Sequence, residues 1–215
     1  MKIKEKSTKI CNELKKLYPG AECSLRYSKP YELLIATRLS AQCTDARVNI
    51  VTANLFKKYR SVEEFANADI SELEQDVRPC GFYRTKASDI KNICVGLITR
   101  FDGKVPDNMN DLLSLQGVGR KTANLILGDI YNKPAIVTDT HCIRIAGRLG
   151  LTDNKEPFKV EKDLREIIPS EEGSDFCHRL VIFGREICKA RKPLCDICAV
   201  NELCRYYSEN KGEKK

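Results

Sequence analysis

Leu115-Gln116-Gly117-Val118-Gly119-Arg120-Lys121-Thr122-Ala123 is the stretch that decides how this chain folds. Two glycines one residue apart allow a tight turn with φ > 0 and let another backbone approach closely. Downstream, Ala123, Ile126, Leu127 and Ile130 recur at helical spacing, so the turn feeds the N-terminus of an amphipathic helix. Upstream, Asn108 can cap a short helix running to Leu115. Leu115, Val118 and Ala123 are placed to pack the two helices together. The N–H groups at such a helix start, with the helix dipole, make an anion site that suits a DNA phosphate. Gly117, Val118, Gly119 and Arg120 are the candidate phosphate contacts, and a plain connector between packed helices is the alternative.

Lys121 falls in the first turn of the second helix. There the dipole disfavours its cationic form, and a neutral lysine amine is a nucleophile that forms Schiff bases. A lysine that merely binds phosphate is the plainer reading, and spacing alone favours it. Eighteen residues on, Val137-Thr138-Asp139-Thr140-His141 opens another amphipathic helix, with Cys142, Ile145, Ala146 and Leu149 on one face. Asp139 fits as its N-cap. Its carboxylate could also face the lysine, take up its proton and stabilise cationic character at a sugar carbon.

The same periodicity runs through the rest of the chain. Ile90, Ile93, Cys94, Leu97, Ile98 and Phe101 form one continuous stripe, and Tyr31, Leu34, Ile35 and Leu39 a shorter one. Ser28 ahead of Lys29-Pro30, Thr44, Ser61 and Asp69 read as helix caps. Pro79 and Gly81 break the chain before a long helix from near Thr85, which Asp102-Gly103 ends. No sustained period-2 run and no internal repeat interrupts this pattern. The expected architecture is all-α, with about ten helices and a frayed polar tail over Asn210–Lys215.

At 215 residues the chain can be one large domain or two small ones. No apolar run approaches the ~20 residues that span a bilayer. The basic start MKIKEKSTKI lacks the apolar stretch of a signal peptide, so the expected location is inside the cell. A net charge of +7 is compatible with a polyanionic partner without requiring one. Eleven cysteines, an odd number, argue against a disulfide framework. Cys11, Cys23, Cys43, Cys80, Cys94, Cys142 and Cys177 are scattered and read as small buried hydrophobes.

The other four, Cys188, Cys195, Cys198 and Cys204, are spaced C-x6-C-x2-C-x5-C. Short loops let four thiolates converge on one centre, either a cubane iron–sulfur cluster or a structural zinc ion. Zinc sites more often use two C-x2-C pairs, and only one is present here. Lys189, Arg191 and Lys192 lie in the first of these loops and could project toward phosphates, or simply be solvated. With no flavin or nicotinamide motif alongside, a cluster here is expected to fold and position a DNA-contacting loop.

In this order, Leu39-Ser40-Ala41-Gln42-Cys43-Thr44-Asp45, the hairpin with Lys121, Val137–His141 and the four-cysteine spacing resemble the endonuclease III family of DNA glycosylases, within the helix-hairpin-helix superfamily. The resemblance covers roughly residues 5 to 207. It implies a two-lobed helix-hairpin-helix DNA glycosylase fold with a C-terminal iron–sulfur cluster loop. A six-helix barrel domain would span 23–133, and an iron–sulfur domain would combine 1–22 with 134–215. By resemblance, the four cysteines hold a 4Fe-4S cluster. Lys121 attacks C1′ of an extruded oxidised pyrimidine nucleotide in duplex DNA, and Asp139 assists as base or electrostatic stabiliser. Gln42 fills the hole in the helix and Phe82 wedges beside it. A monomer in a bacterial or archaeal cytoplasm, close to the nucleoid, is the simplest expectation.

Three departures qualify the match. Gln116 stands where the family hairpin usually has proline, and Cys43 and Thr138 are milder variations. Adenine-excising mismatch glycosylases, a neighbouring branch, carry a catalytic glutamate where this chain has Thr37. They also lack the hairpin lysine. Thymine-mismatch enzymes typically have a tyrosine in place of Lys121. A non-catalytic DNA-binding module, or a zinc-stabilised helical protein, are the readings from other classes.

Overall fold

The computed structural model describes residues 1–210, and within them there are twelve α-helices, four short 3-10 turns and no strand. The all-α expectation holds. Helices outnumber the expected ten in part because short ones, such as the 6-residue Arg205–Asn210, display no repeating stripe. The tail expected to fray lies, from residue 211 on, outside the described residues.

Helix α1 (Ile3–Leu17) opens the chain. Next come α2 (Pro30–Ser40), α3 (Asp45–Lys58), α4 (Val62–Asn67), α5 (Ile70–Val77), α6 (Tyr83–Phe101), α7 (Met109–Leu113) and α8 (Arg120–Asp129). The last four are α9 (Thr140–Leu149), α10 (Pro157–Ile167), α11 (Gly173–Glu186) and α12 (Arg205–Asn210). They form two compact units, one of Cys23–Tyr131 and one of Met1–Glu22 with the described chain from Asn132 on.

The Cys23–Tyr131 unit is built around α2, which touches α3, α6 and α8. Eight of its 11 residues are buried, including the consecutive Leu33, Leu34, Ile35 and Ala36. The one-sided stripe expected here is therefore too narrow, since a helix walled on several sides must be apolar all round. Beside it, Tyr31, Phe56 and Tyr59 pack their rings around Phe65. Thr44, Ser61, Asp69 and Asn108 cap their helices as expected. Ser28 does not: α2 starts at Pro30, and the Glu32 carboxylate instead accepts N–H bonds from Ser28 (2.6 Å) and Lys29 (3.2 Å). The long helix α6 starts at Tyr83, two residues earlier than expected, and α7 stops at Leu113 rather than Leu115.

In the other unit, α9 and α11 supply the apolar core through Cys142, Ile145, Leu149, Phe176, Leu180 and Phe183. Helix α1 joins it through Ile10 and Leu14, and Ser7 Oγ donates to the Ile167 carbonyl at 2.6 Å. Arg179, 2% exposed, lies in this core and pairs with Glu172 (2.5 Å) and Asp175 (2.7 Å). Of the scattered cysteines, Cys11, Cys80, Cys94, Cys142 and Cys177 are buried, whereas Cys23 and Cys43 are only half-buried. Among the described residues no helix is long and apolar enough to cross a membrane.

Candidate functional site

The hairpin closes through a bond from the Val118 N–H to the Leu115 carbonyl at 3.1 Å. Only the first glycine uses left-handed space: Gly117 has φ 84°, while Gly119, at φ −97°, is the N-cap of α8. Leu115, Val118 and Ala123 are buried, so they do pack the two helices together. Helix α6 seats the hairpin from outside. A Cβ on Gly96 would stand 2.9 Å from Leu115 Cδ2, so only glycine leaves room for that leucine. Beside Gly117 lies Asp89, which Arg38 of α2 holds through Nε at 2.6 Å and Nη2 at 2.5 Å.

Lys121 is the second residue of α8 and is exposed. The first N–H groups of a helix have no intrahelical acceptor, and a Cβ on Gly119 would meet nothing within 4 Å. The hairpin thus sets the N-terminus of α8 beside open space, with Arg120 and Lys121 in its first turn. Asp139 belongs to the other unit and caps α9: its Oδ1 accepts from the Cys142 N–H at 2.7 Å. It is half-buried.

Gln42 and Phe82 share an unusual backbone. Both are non-glycine residues with positive φ, 54° and 47°. Such conformations cost about 1–3 kcal/mol each and gather at functional positions. Both side chains are exposed, Phe82 to 66%. Thr37 sits buried in α2 with its hydroxyl spent on the Leu33 carbonyl at 2.7 Å.

Cys188, Cys195, Cys198 and Cys204 line one cavity, whose walls include Leu149, Phe183 and Ile187. Burial raises the pKa of the Cys198 and Cys204 thiols, and the facing cluster thiols add to it, against nearby backbone N–H groups that lower it. Thiolates gathered this way need a cationic centre. No histidine or carboxylate shares that lining, so the donor set is four cysteine sulfurs, which an iron–sulfur cluster takes. Arg148 Nη1 lies 3.4 Å from Cys188 Sγ, and the Cys204 thiol donates to the Arg148 carbonyl at 3.3 Å. Lys189, Arg191 and Lys192 are exposed in the loop that begins at Cys188.

Sequence reading missed the groups that hold these loops. Arg148 donates to the carbonyls of Lys189 and Ala190, both at 2.7 Å, and Arg144 to that of Cys188 at 3.0 Å. Their i, i+4 spacing on α9 was visible, but nothing in the sequence ties that face to a loop forty residues away. Arg38, Lys86 and Asp89 were missed for the same reason, since their partners (each other's side chains for Arg38 and Asp89, two carbonyls for Lys86) lie far along the chain.

A helical hairpin opening on a lysine-bearing helix, joined to a four-thiol cluster loop, defines the iron–sulfur class of helix-hairpin-helix repair proteins. Residues 35–170 match the family model of the HhH-GPD superfamily base excision DNA repair protein, and residues 188–204 that of the iron-sulfur binding domain of endonuclease III. Endonuclease III of Synechocystis sp. is 46% identical over 202 residues, covering 94% of this chain and 92% of the relative. A solved non-covalent endonuclease III–DNA complex superposes with a TM-score of 0.91 at 44% identity, covering 98% of this chain and 99% of that one. So does a trapped endonuclease III–DNA covalent intermediate, with the same score and identity over 98% and 100%. The chain belongs to the endonuclease III family of the HhH-GPD superfamily.

Proposed function

We propose that Lys121 and Asp139 carry the family reaction in this chain: a bifunctional DNA N-glycosylase and AP lyase that removes oxidised pyrimidines during base excision repair. The observation that carries this reading is Lys121, exposed in the first turn of the helix that follows the hairpin. The likeness to a trapped protein–DNA covalent intermediate supports it.

The hairpin binds a backbone phosphate through the N–H groups around Gly117–Gly119, with Arg120 beside them, which grips DNA without reading sequence. The damaged nucleotide leaves the stack, because its C1′ is out of reach within the duplex. Gln42 fills the gap and Phe82 wedges the neighbouring base step. Their exposure and left-handed backbones support these roles. Lys121 Nζ, as the free amine, bonds to C1′ while the glycosidic bond breaks and the base departs. Asp139 takes up the proton released by the amine and offsets the positive charge that develops at the sugar. The sugar opens to a protonated Schiff base on Lys121. Loss of a C2′ proton expels the 3′ phosphate by β-elimination, and water releases the lysine from the unsaturated aldehyde.

The four cysteines hold a 4Fe-4S cluster, which supplies structural organisation of the loop when bound rather than a step in this reaction. Lys189 and Arg191, exposed on that loop, meet phosphates. The unit boundaries support a hairpin-bearing barrel over 23–133 and a cluster domain made of 1–22 and 134–215. The bacterial origin of the Synechocystis relative supports work on the DNA of a bacterial cytoplasm.

The direct test is strand scission of a duplex carrying one thymine glycol. The native chain leaves a 3′ unsaturated aldehyde at the lesion, and Lys121→Gln leaves the strand intact. A native chain that frees the base and leaves an intact abasic strand would be a monofunctional glycosylase instead.

A further inference from the structure

Lys86 is 1% exposed, yet the mechanism above does not use it. Its Nζ donates to the carbonyl of Leu39, near the end of α2, and to that of Cys80, in the 3-10 turn Arg78–Cys80, both at 2.8 Å. Leu39 lies three residues before Gln42, and Cys80 two residues before Phe82. One ammonium therefore ties together the two turns that carry the exposed left-handed residues. The free thiols of Cys43 and Cys80, hydrogen-bonded to one another, lie near it. Burial lowers the amine's pKa, and those thiols partly restore it. Burying an amine is unfavourable unless its protons are used, and an apolar side chain would fill the same space without that cost.

We propose that Lys86 is a positioning residue for nucleotide extrusion, holding the Gln42 and Phe82 turns in one register so that both side chains enter the duplex together. This rests on the roles proposed above for Gln42 and Phe82. The coupling runs through the backbone carbonyls of Leu39 and Cys80. The Arg38–Asp89 pair, on the same two helices α2 and α6, keeps the frame around it aligned.

The variant that tests this is Lys86→Met, which keeps the length and the burial and removes the donors. Excision of thymine glycol and the fluorescence rise of a 2-aminopurine placed beside it, which reports unstacking, should both fall about tenfold or more, since small misplacements carry such losses. Borohydride trapping on a ready-made abasic site, where no base has to be extruded, should stay within about threefold of native, a difference too small to reflect a damaged Lys121 site. The melting temperature should fall by no more than the several degrees that two unpaired carbonyls cost. On a Gln42→Ala/Phe82→Ala background, Lys86→Met should add little, because residues acting through one another are not additive.

Native extrusion in Lys86→Met overturns the proposal. So does an equal loss on both substrates with a lower melting temperature, or a full additional loss on the double-alanine background. If Gln42→Ala/Phe82→Ala itself excises like the native chain, the wedge roles fail and the proposal falls with them; if only Lys86→Met is silent, the wedge roles stand alone. Should Lys86→Met fail to fold, Lys86→Gln keeps two donors on a shorter stem. An intermediate loss of extrusion then supports the proposal, and native extrusion overturns it.

Discussion

Asp89 lies against Gly117, so close that a Cβ on the glycine would stand 3.1 Å from the Cβ of the aspartate. The hairpin turn is thus fixed twice, by a positive φ of 84° and by a side chain packed over it. Gly117→Ala should cost about 1–3 kcal/mol through its φ alone. In a chain this size each kcal/mol lowers the melting temperature by roughly 2–4 °C. Gly119→Ala, with φ −97° and open space around it, should lose no more than about 1 kcal/mol as a poorer N-cap, yet bind DNA more weakly, because a methyl intrudes where the proposed phosphate contact lies. Equal melting temperatures for the two variants would contradict this reading of the turn.

Asp139 caps α9 and, in the proposed reaction, takes up a proton; one substitution separates the two. Asparagine caps helices as well as aspartate does, so Asp139→Asn should keep its bond to the Cys142 N–H and melt within about 0.5 kcal/mol of native. Without the carboxylate, excision should slow by about 10²–10⁴. Asp139→Ala should lose the activity and, in addition, about 1 kcal/mol of stability. An Asp139→Asn chain that turns over at the native rate would leave Asp139 a cap and nothing more.

Arg148 braces the cluster loop through Cys188 Sγ and the carbonyls of Lys189 and Ala190. Bonds from a charged donor are worth about 1.5–3 kcal/mol each. Arg148→Ala should therefore purify with less iron and bleach faster in air than the native chain. Iron content and the decay of visible absorption measure this, and native values for both would remove Arg148 from the account of the loop.

Acid should weaken the Met1–Glu22 and Asn132-onward unit through Glu172. Its carboxyl is held below the ordinary carboxylate range, first by the Lys15 ammonium and also by Arg179, against the opposing effect of burial. A carboxyl with a folded pKa below the unfolded value of about 4.3 stabilises the fold in full above that value. That stabilisation disappears as the pH falls through the folded pKa. The gap in melting temperature between the native chain and Glu172→Gln should be widest near neutral pH and close below about pH 4. A gap constant with pH would mean that the ion pair contributes nothing.

The fold class was legible because period 3.6 and well-spaced caps run through the whole chain, as at Ser61, Asp69 and Asn108. The central helix α2 was read too narrowly, since burial on every side blurs the period that exposes a surface helix. Local chemistry marked the hairpin, Lys121 and the cysteine spacing. What stayed hidden were the supports. Lys86, Asp89, Arg38 and Arg148 look like ordinary surface charges until tertiary packing brings a carbonyl or a glycine against them. The left-handed backbones of Gln42 and Phe82 were equally silent, because neither residue type signals φ > 0.

The central claim is that Lys121 forms the covalent bond. Borohydride added during turnover of a duplex with one thymine glycol should trap a stable protein–DNA adduct, and peptide mapping should place it on Lys121. Lys121→Gln should give no adduct while still binding the duplex. No adduct from a native chain that binds and excises, or an adduct mapped to another lysine, would contradict it.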